Sequence, residues 1–353
     1  MSTDEILTSV EGGLGIITLN RPKAVNALSY NMIGLMDEAL TEFEHNDAVH
    51  AVLVRGAGER GLCSGGDVVS LHNGAANNDL AQVDPFFREE YLLDHRIAVY
   101  PKPYIAIMNG LVLGGGVGIA AAGSHRVATD STKLGMPEVG IGFSPDVGGP
   151  FYLANAPANI GNYMALTGIS ISGADAVYVN MADYFVADDR IDQLVQRLQG
   201  ITSPIQVDDV LGEFHESTTA PLASAAHWIE SAFSGDTVET IIDSVQASVD
   251  DGNELARKAL AALQRNSPTG MKVALEAVRR AKTKSLAQTL VQDFRTTMNA
   301  VAGTELAEGI RAQLIDKDRN PQWSPATLQE VTETTVKNFF EPVEGVDDLV
   351  IKA

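Results

Sequence analysis

Tyr104-Ile105-Ala106-Ile107-Met108 runs into Asn109-Gly110, and Gly114-Gly115-Gly116-Val117-Gly118 then leads into Ile119–Ala122. Five consecutive apolar residues that stop at turn residues have the pattern of a buried strand. The segment that follows reads as a helix start interrupted by glycines and continued by small residues, so this helix must approach a neighbour closely. Outward from that point, Leu14–Leu19 and Ala51–Arg55 are predicted as two further buried strands, each ending at turn residues. Between them Ser29 is expected to cap a helix in which Met32, Ile33, Met36, Ala39, Leu40 and Phe43 form one apolar face against the sheet. Strands separated by crossover helices place the first half of the chain in the α/β class.

Beyond Val186 the texture changes to amphipathic segments with few strand signals: Ile191–Leu198, Ala226–Phe233, Val238–Val249, Glu254–Gln264, Met271–Ala281 and Leu286–Ala300. The expected organisation is a catalytic core over residues 1–200 and a mostly helical region over 201–353, with an acidic, mobile tail after Pro325. The chain has 353 residues, 45% hydrophobic and 20% charged, which excludes a disordered or fibrous protein. Its net charge of −21 argues against a nucleic-acid partner, because binding polyphosphate requires cations that displace counterions. The single cysteine, Cys63, permits no intramolecular disulfide and fits a reducing, cytoplasmic setting. The short acidic start and the lack of an uncharged run of roughly 18 residues argue against a membrane partner.

There is no phosphate-loop, nucleophile-elbow or HExxH motif, and the seven histidines are scattered, so neither a nucleotide nor a metal cofactor is expected. Gly114–Gly118 lacks the pattern that follows a dinucleotide-binding loop. Two glycine turns are more informative together: Cys63-Ser64-Gly65-Gly66-Asp67 after the second strand and Gly114–Gly118 after the third. Alone, either is an ordinary connection. As a pair at strand ends, they could each supply one backbone N–H to a single carbonyl oxygen, the arrangement an oxyanion hole requires.

Asn20-Arg21-Pro22-Lys23-Ala24-Val25-Asn26-Ala27-Leu28, the Ser64–Asp67 turn, Asn109-Gly110 and Pro137-Glu138 with Gly148-Gly149 resemble the enoyl-CoA hydratase/isomerase (crotonase) superfamily. Phe86–Tyr91, Phe143–Gly149, Glu308–Ala312 and the segment from Leu314 to Trp323 resemble its 3-hydroxyisobutyryl-CoA hydrolase branch, which extends the likeness over nearly the whole chain. The resemblance implies a crotonase-like spiral of ββα turns with a helical C-terminal region. It implies hydrolysis of a short 3-hydroxyacyl-CoA thioester, most often 3-hydroxyisobutyryl-CoA in valine breakdown, with coenzyme A as part of the substrate. It also implies amides of Gly66 and Gly115 at the thioester oxygen, Glu138 and Asp146 as catalytic acids, and Glu90, Ala27 and Asp67 at the substrate. Homo-oligomers are common among such proteins.

Hydratases of the superfamily work with two glutamates, and at the first of those positions this chain has Gly118. That disfavours the alternatives of an enoyl-CoA hydratase/isomerase; retention of both glycine turns and three acids disfavours a silent acyl-CoA-binding protein. On local grounds Asp146 could equally close an Asx-turn, Glu138 could be a first-turn helix acid, and only one of Glu89 and Glu90 can face a site. Cys63 is read as a small core residue. Arg21, Lys23, Lys272 and Lys317 are candidate partners of the coenzyme A phosphates, though any of them could be a solvated surface charge.

Overall fold

The computed structural model describes residues 4–351. Contacts group them into two units interleaved in sequence. One contains the chain up to Gly66, Leu92–Leu134 and Ile171–Ala223; the other contains Asp67–Tyr91, Gly135–Ser170 and the chain from Ser224 onward.

The first unit is built on a six-stranded sheet of β1 (Ile6–Glu11), β2 (Leu14–Leu19), β3 (Ala51–Gly56), β4 (Tyr104–Met108), β6 (His125–Ala128) and β9 (Tyr184–Phe185), in the order β1-β2-β3-β4-β6-β9. The β1–β2 pair is an antiparallel hairpin, and every later neighbour is parallel. β5 (Leu111–Leu113), β7 (Lys133–Gly135) and β8 (Ile171–Ser172) form a second, three-stranded sheet. The three predicted strands are β2, β3 and β4, whose continuous apolar runs suit strands covered on both faces. β1 carries no such signal because it is an edge strand with a mixed sequence, exposed at five of its six residues. The predicted helix spans Tyr30–His45, capped by Ser29, whose Oγ accepts the Met32 N–H at 3.1 Å. All six residues of its expected apolar face are buried.

The second unit is largely helical. It includes the long helices Pro268–Ala281 and Leu286–Val301, both begun by serine caps. The predicted amphipathic segments fall within helices except that Ala226–Phe233 runs one residue past a helix ending at Ala232, and Gln206–Phe214 is an additional helix that packs in the first unit. The expectation of a mobile tail is corrected. Phe340 is buried with Val273 and Ala277, and the Arg280 guanidinium lies 3.9 Å over its ring. Asp348 accepts from Arg295 Nε at 3.1 Å, and the Asp347 carbonyl accepts from Arg88 at 2.6 Å. An acid that suggested a loose, solvated tail, Asp348, instead pairs it with Arg295.

Candidate active site

In the first unit the two glycine turns lie against each other. Leu28 N–H donates to Gly65 O at 2.9 Å, and Leu28 and Gly66 form a parallel bridge. On the other side, Cys63 N–H donates to Leu111 O at 3.1 Å and Leu113 N–H to Cys63 O at 3.0 Å. The close approach expected of the glycine-rich helix, Gly115–Ala121, is made to this segment: a Cβ on Gly116 would stand 2.7 Å from Cys63 O, too near for any side chain. Gly65 has φ +111° and its Cβ would lie 3.8 Å from Gly115 N, which brings the turns within van der Waals distance. Gly115 opens its helix, so its N–H has no intrahelical acceptor. Among the described residues, no carbonyl or side chain accepts from the Gly66 or Gly115 amide.

In the second unit Glu90, Glu138, Asp146 and Asp293 are 2%, 6%, 5% and 0% exposed. Glu90 lies on the helix Leu80–Ala98 among Phe86, Phe87 and Tyr91, all buried, while its neighbour Glu89 points to solvent. The choice of Glu90 over Glu89 therefore matches the burial. Glu138 opens a short 3-10 helix after Pro137, as its first-turn reading expected. Asp146 is held by Tyr91, whose hydroxyl donates to Oδ2 at 2.7 Å and shares a 2.6 Å hydrogen bond with Thr297 Oγ1.

The backbone after Asp146 is a tight turn, with Gly149 N–H donating to Asp146 O at 2.6 Å. Both central residues have positive φ, Val147 at +51° and Gly148 at +76°, as in a type I′ turn. Gly148 suits that region; a β-branched residue there costs about 1–3 kcal/mol and persists only where its surroundings over-determine it. Asp293 contributes to that constraint by accepting the Gly148 N–H at 2.9 Å through Oδ2.

Burial pushes each of these carboxyls up. Glu90 is raised well above the ordinary range by desolvation and then by the nearby Asp146 and Glu138. Glu138 is raised by desolvation and Asp146, and Asp293 likewise. Asp146 reaches about 7: desolvation raises it, while the Tyr91 hydrogen bond and its own backbone amide favour its anion. Close carboxyls cannot all ionise together, so the proton leaves first where the anion is best solvated. Asp146 is the member of the set whose anion the Tyr91 hydroxyl stabilises. Glu90 Oε1, Glu138 Oε2 and Asp293 Oδ1 have no protein partner among the described residues, which is unusual for buried polar atoms away from a site.

Ala27 accepts a hydrogen bond from Arg21 Nη1 at 2.6 Å through its carbonyl. Asp67 caps the helix Val68–Ala76, its carbonyl accepting from Ser70 Oγ at 2.6 Å. Two candidate phosphate ligands are already engaged, Arg21 with Glu5 at 3.1 Å and Lys272 with Glu239 at 2.7 Å. Sequence reasoning missed Tyr91, Asp293 and Thr297 as parts of the carboxyl cluster. Only Tyr91 carried a local signal, as the residue after Glu90. No group of three or more His, Cys, Asp or Glu residues among those described is set to hold a metal.

With an α/β sheet unit and a largely helical unit, the fold is of the crotonase-like class. The chain belongs to the enoyl-CoA hydratase/isomerase family, whose profile it matches over residues 14–340. It is 37% identical to the Gallus gallus protein called mitochondrial 3-hydroxyisobutyryl-CoA hydrolase, over 99% of this chain and 91% of that protein. The Homo sapiens protein of the same name is 35% identical, over 98% and 91%. A solved structure described as a carnitinyl-CoA dehydratase from Mycobacterium thermoresistibile superposes with a TM-score of 0.91 at 45% identity, covering 99% of both chains. One described as an enoyl-CoA hydratase from Rhodobacter sphaeroides gives 0.90 at 33%, covering 99% of this chain and 100% of that one.

Proposed function

We propose that this protein hydrolyses a short 3-hydroxyacyl-CoA thioester, above all 3-hydroxyisobutyryl-CoA, to 3-hydroxyisobutyrate and coenzyme A, a step of valine breakdown. The observation that carries the reading is the buried Glu90–Glu138–Asp146 set in a chain that has Gly118 where a hydratase has its other glutamate. The vertebrate relatives bear the hydrolase name over nearly their whole length. In the reaction the Gly66 and Gly115 amides hold the thioester oxygen, which gains negative charge as the carbonyl is attacked. Asp146, as the carboxylate, attacks the carbonyl or takes the proton of an attacking water; the C–S bond breaks as Glu138, protonated, gives its proton to the departing thiolate, water supplies the new C–O bond, and the proton taken from that water restores Glu138. Ala27 and Asp67 belong to the substrate-binding surface in this reading. Residues 1–200, the proposed catalytic core, supply every group given a role here, and 201–353 support it.

Coenzyme A enters as part of the substrate, and neither a metal nor a further cofactor takes part. Self-association is the expectation that comes with the family. Among the described residues no helix is long and apolar enough to cross a membrane. The sequence suggested a cytoplasmic setting, whereas the vertebrate relatives are called mitochondrial; what the buried thiol of Cys63 supports is a reducing compartment.

The purified protein is expected to release free thiol from 3-hydroxyisobutyryl-CoA, read with a thiol-reactive dye, and to keep that activity in a chelator. The second reading, hydration of an enoyl-CoA, is favoured by the descriptions of the two solved structures. Fast water addition to crotonyl-CoA without thiol release would establish it and end the hydrolase proposal.

Glu90 is proposed to accept a hydrogen bond from the substrate's 3-hydroxyl. A thioester lacking that group leaves a buried acceptor unpaired, which discriminates far more strongly than a missing methylene. Wild type should therefore prefer 3-hydroxyisobutyryl-CoA to isobutyryl-CoA in kcat/KM, and Glu90→Ala should shrink that preference about tenfold or more. An unchanged ratio removes Glu90 from recognition while leaving the hydrolase activity in place.

A further inference from the structure

We infer that Asp293 and Thr297 form a two-point clamp on the helix Leu286–Val301 that positions Asp146 for turnover, so that this C-terminal helix is part of the catalytic apparatus. The inference rests on the proposed role of Asp146. Asp293 and Thr297 are one turn apart, which puts them on the same helix face. Both are fully buried. Asp293 Oδ2 takes the Gly148 N–H at 2.9 Å, two residues beyond Asp146. Thr297 meets the Tyr91 hydroxyl at 2.6 Å, and Tyr91 in turn donates to Asp146 Oδ2 at 2.7 Å. Tyr91 has one hydroxyl proton, given to Asp146, so Thr297 is the donor in its bond with Tyr91.

The two contacts act on different parts of Asp146. The Asp293 bond fixes the turn in which Val147 and Gly148 hold φ +51° and +76°, and so fixes where the Asp146 backbone aims its side chain. The chain Thr297→Tyr91→Asp146 strengthens the hydrogen bond to the carboxylate, because a hydroxyl that accepts a proton donates its own more strongly. The charged and titratable groups facing these residues are few. Asp146 faces Tyr91, Glu90, Glu138 and Asp293, while Asp293 faces Asp146 and Lys284. Lys284 Nζ is occupied by Gln292 at 2.6 Å. Positioning, not contact with substrate, is the role assigned to Asp293 and Thr297.

Three variants of the full-length protein test the clamp, with thiol release from 3-hydroxyisobutyryl-CoA as the readout. Asp293→Ala is expected to lower kcat about tenfold or more with KM little changed, the signature of a misaimed group. Asp293→Asn keeps an acceptor for Gly148 N–H and should restore most of that kcat. Thr297→Val, nearly isosteric, should move the acid limb of kcat/KM upward by about half a pH unit through the lost donor to Tyr91. Wild-type kcat in Asp293→Ala, an Asp293→Asn protein as impaired as the alanine variant, or an unmoved limb in Thr297→Val would each overturn the clamp. Should Asp293→Ala fail to fold, the asparagine and valine variants decide the question alone: an impaired Asp293→Asn or an unmoved Thr297→Val limb rejects it. A wild type inactive on every 3-hydroxyacyl thioester overturns the functional proposal itself, and that result is seen before any variant is made.

Discussion

Asp146→Asn and Glu138→Gln are each expected to lower turnover about a hundredfold or more, the usual scale for losing a positioned acid or base. Neither change alters volume, so the loss reads chemistry. An asparagine in place of Asp146 would still accept from Tyr91 but could neither attack nor take a proton, and a glutamine in place of Glu138 would have no acidic proton to give. Substrate binding should change little, so the loss appears in kcat at saturation. The pH profile supplies an independent check. Asp146 ionises at about 7 and is active as the anion, so wild-type kcat/KM should rise as pH passes upward through that value. Stability should move the other way. Glu138 has a folded-state pKa raised well above its ordinary value, so its contribution to stability is full at acid pH and is lost as pH rises through the raised value. Glu138→Gln removes that titration, and at pH 8 it should melt no lower than wild type. Near wild-type kcat in both variants would refute the assignment of these acids.

Gly115→Val is expected to reduce turnover by a comparable factor for a different reason. The residue opens a helix whose next glycine already lies so close to Cys63 O that an added Cβ would stand 2.7 Å away, and Gly65, in the facing turn, would bring its own Cβ within 3.8 Å of Gly115 N. A branched side chain beside that amide should block or displace the donor proposed for the thioester oxygen. Losing one oxyanion-hole donor costs about 3–4 kcal/mol of transition-state stabilisation. The variant must keep a wild-type circular dichroism spectrum for the result to bear on catalysis. Full activity in a folded Gly115→Val protein would place the carbonyl oxygen elsewhere.

Both experiments concern residues that could be nominated from sequence, yet what was nominated differs in kind from what the fold supplies. The α/β class, the capped helix Tyr30–His45 and the C-terminal helices could be read because periodicity, caps and turn glycines act over a few residues. The need for glycine at position 116 was likewise visible as a run of small residues, although its partner, Cys63, was not. β1 escaped because an exposed edge strand has no apolar pattern to declare it, and the tail was misjudged because charge alone does not say whether it meets solvent or an arginine. The acids were legible only as types in a motif. That Glu90 is buried and Glu89 exposed, that Tyr91 bonds Asp146, and that Asp293 reaches Gly148 across 145 residues were decided by tertiary structure. Desolvation and charge coupling depend on which side chains come together in space, and contacts across such separations leave no periodic trace in the sequence. The sequence therefore determined which carboxyls the chain possesses, and the packing around them determined that Asp146 is the one the Tyr91 hydroxyl meets.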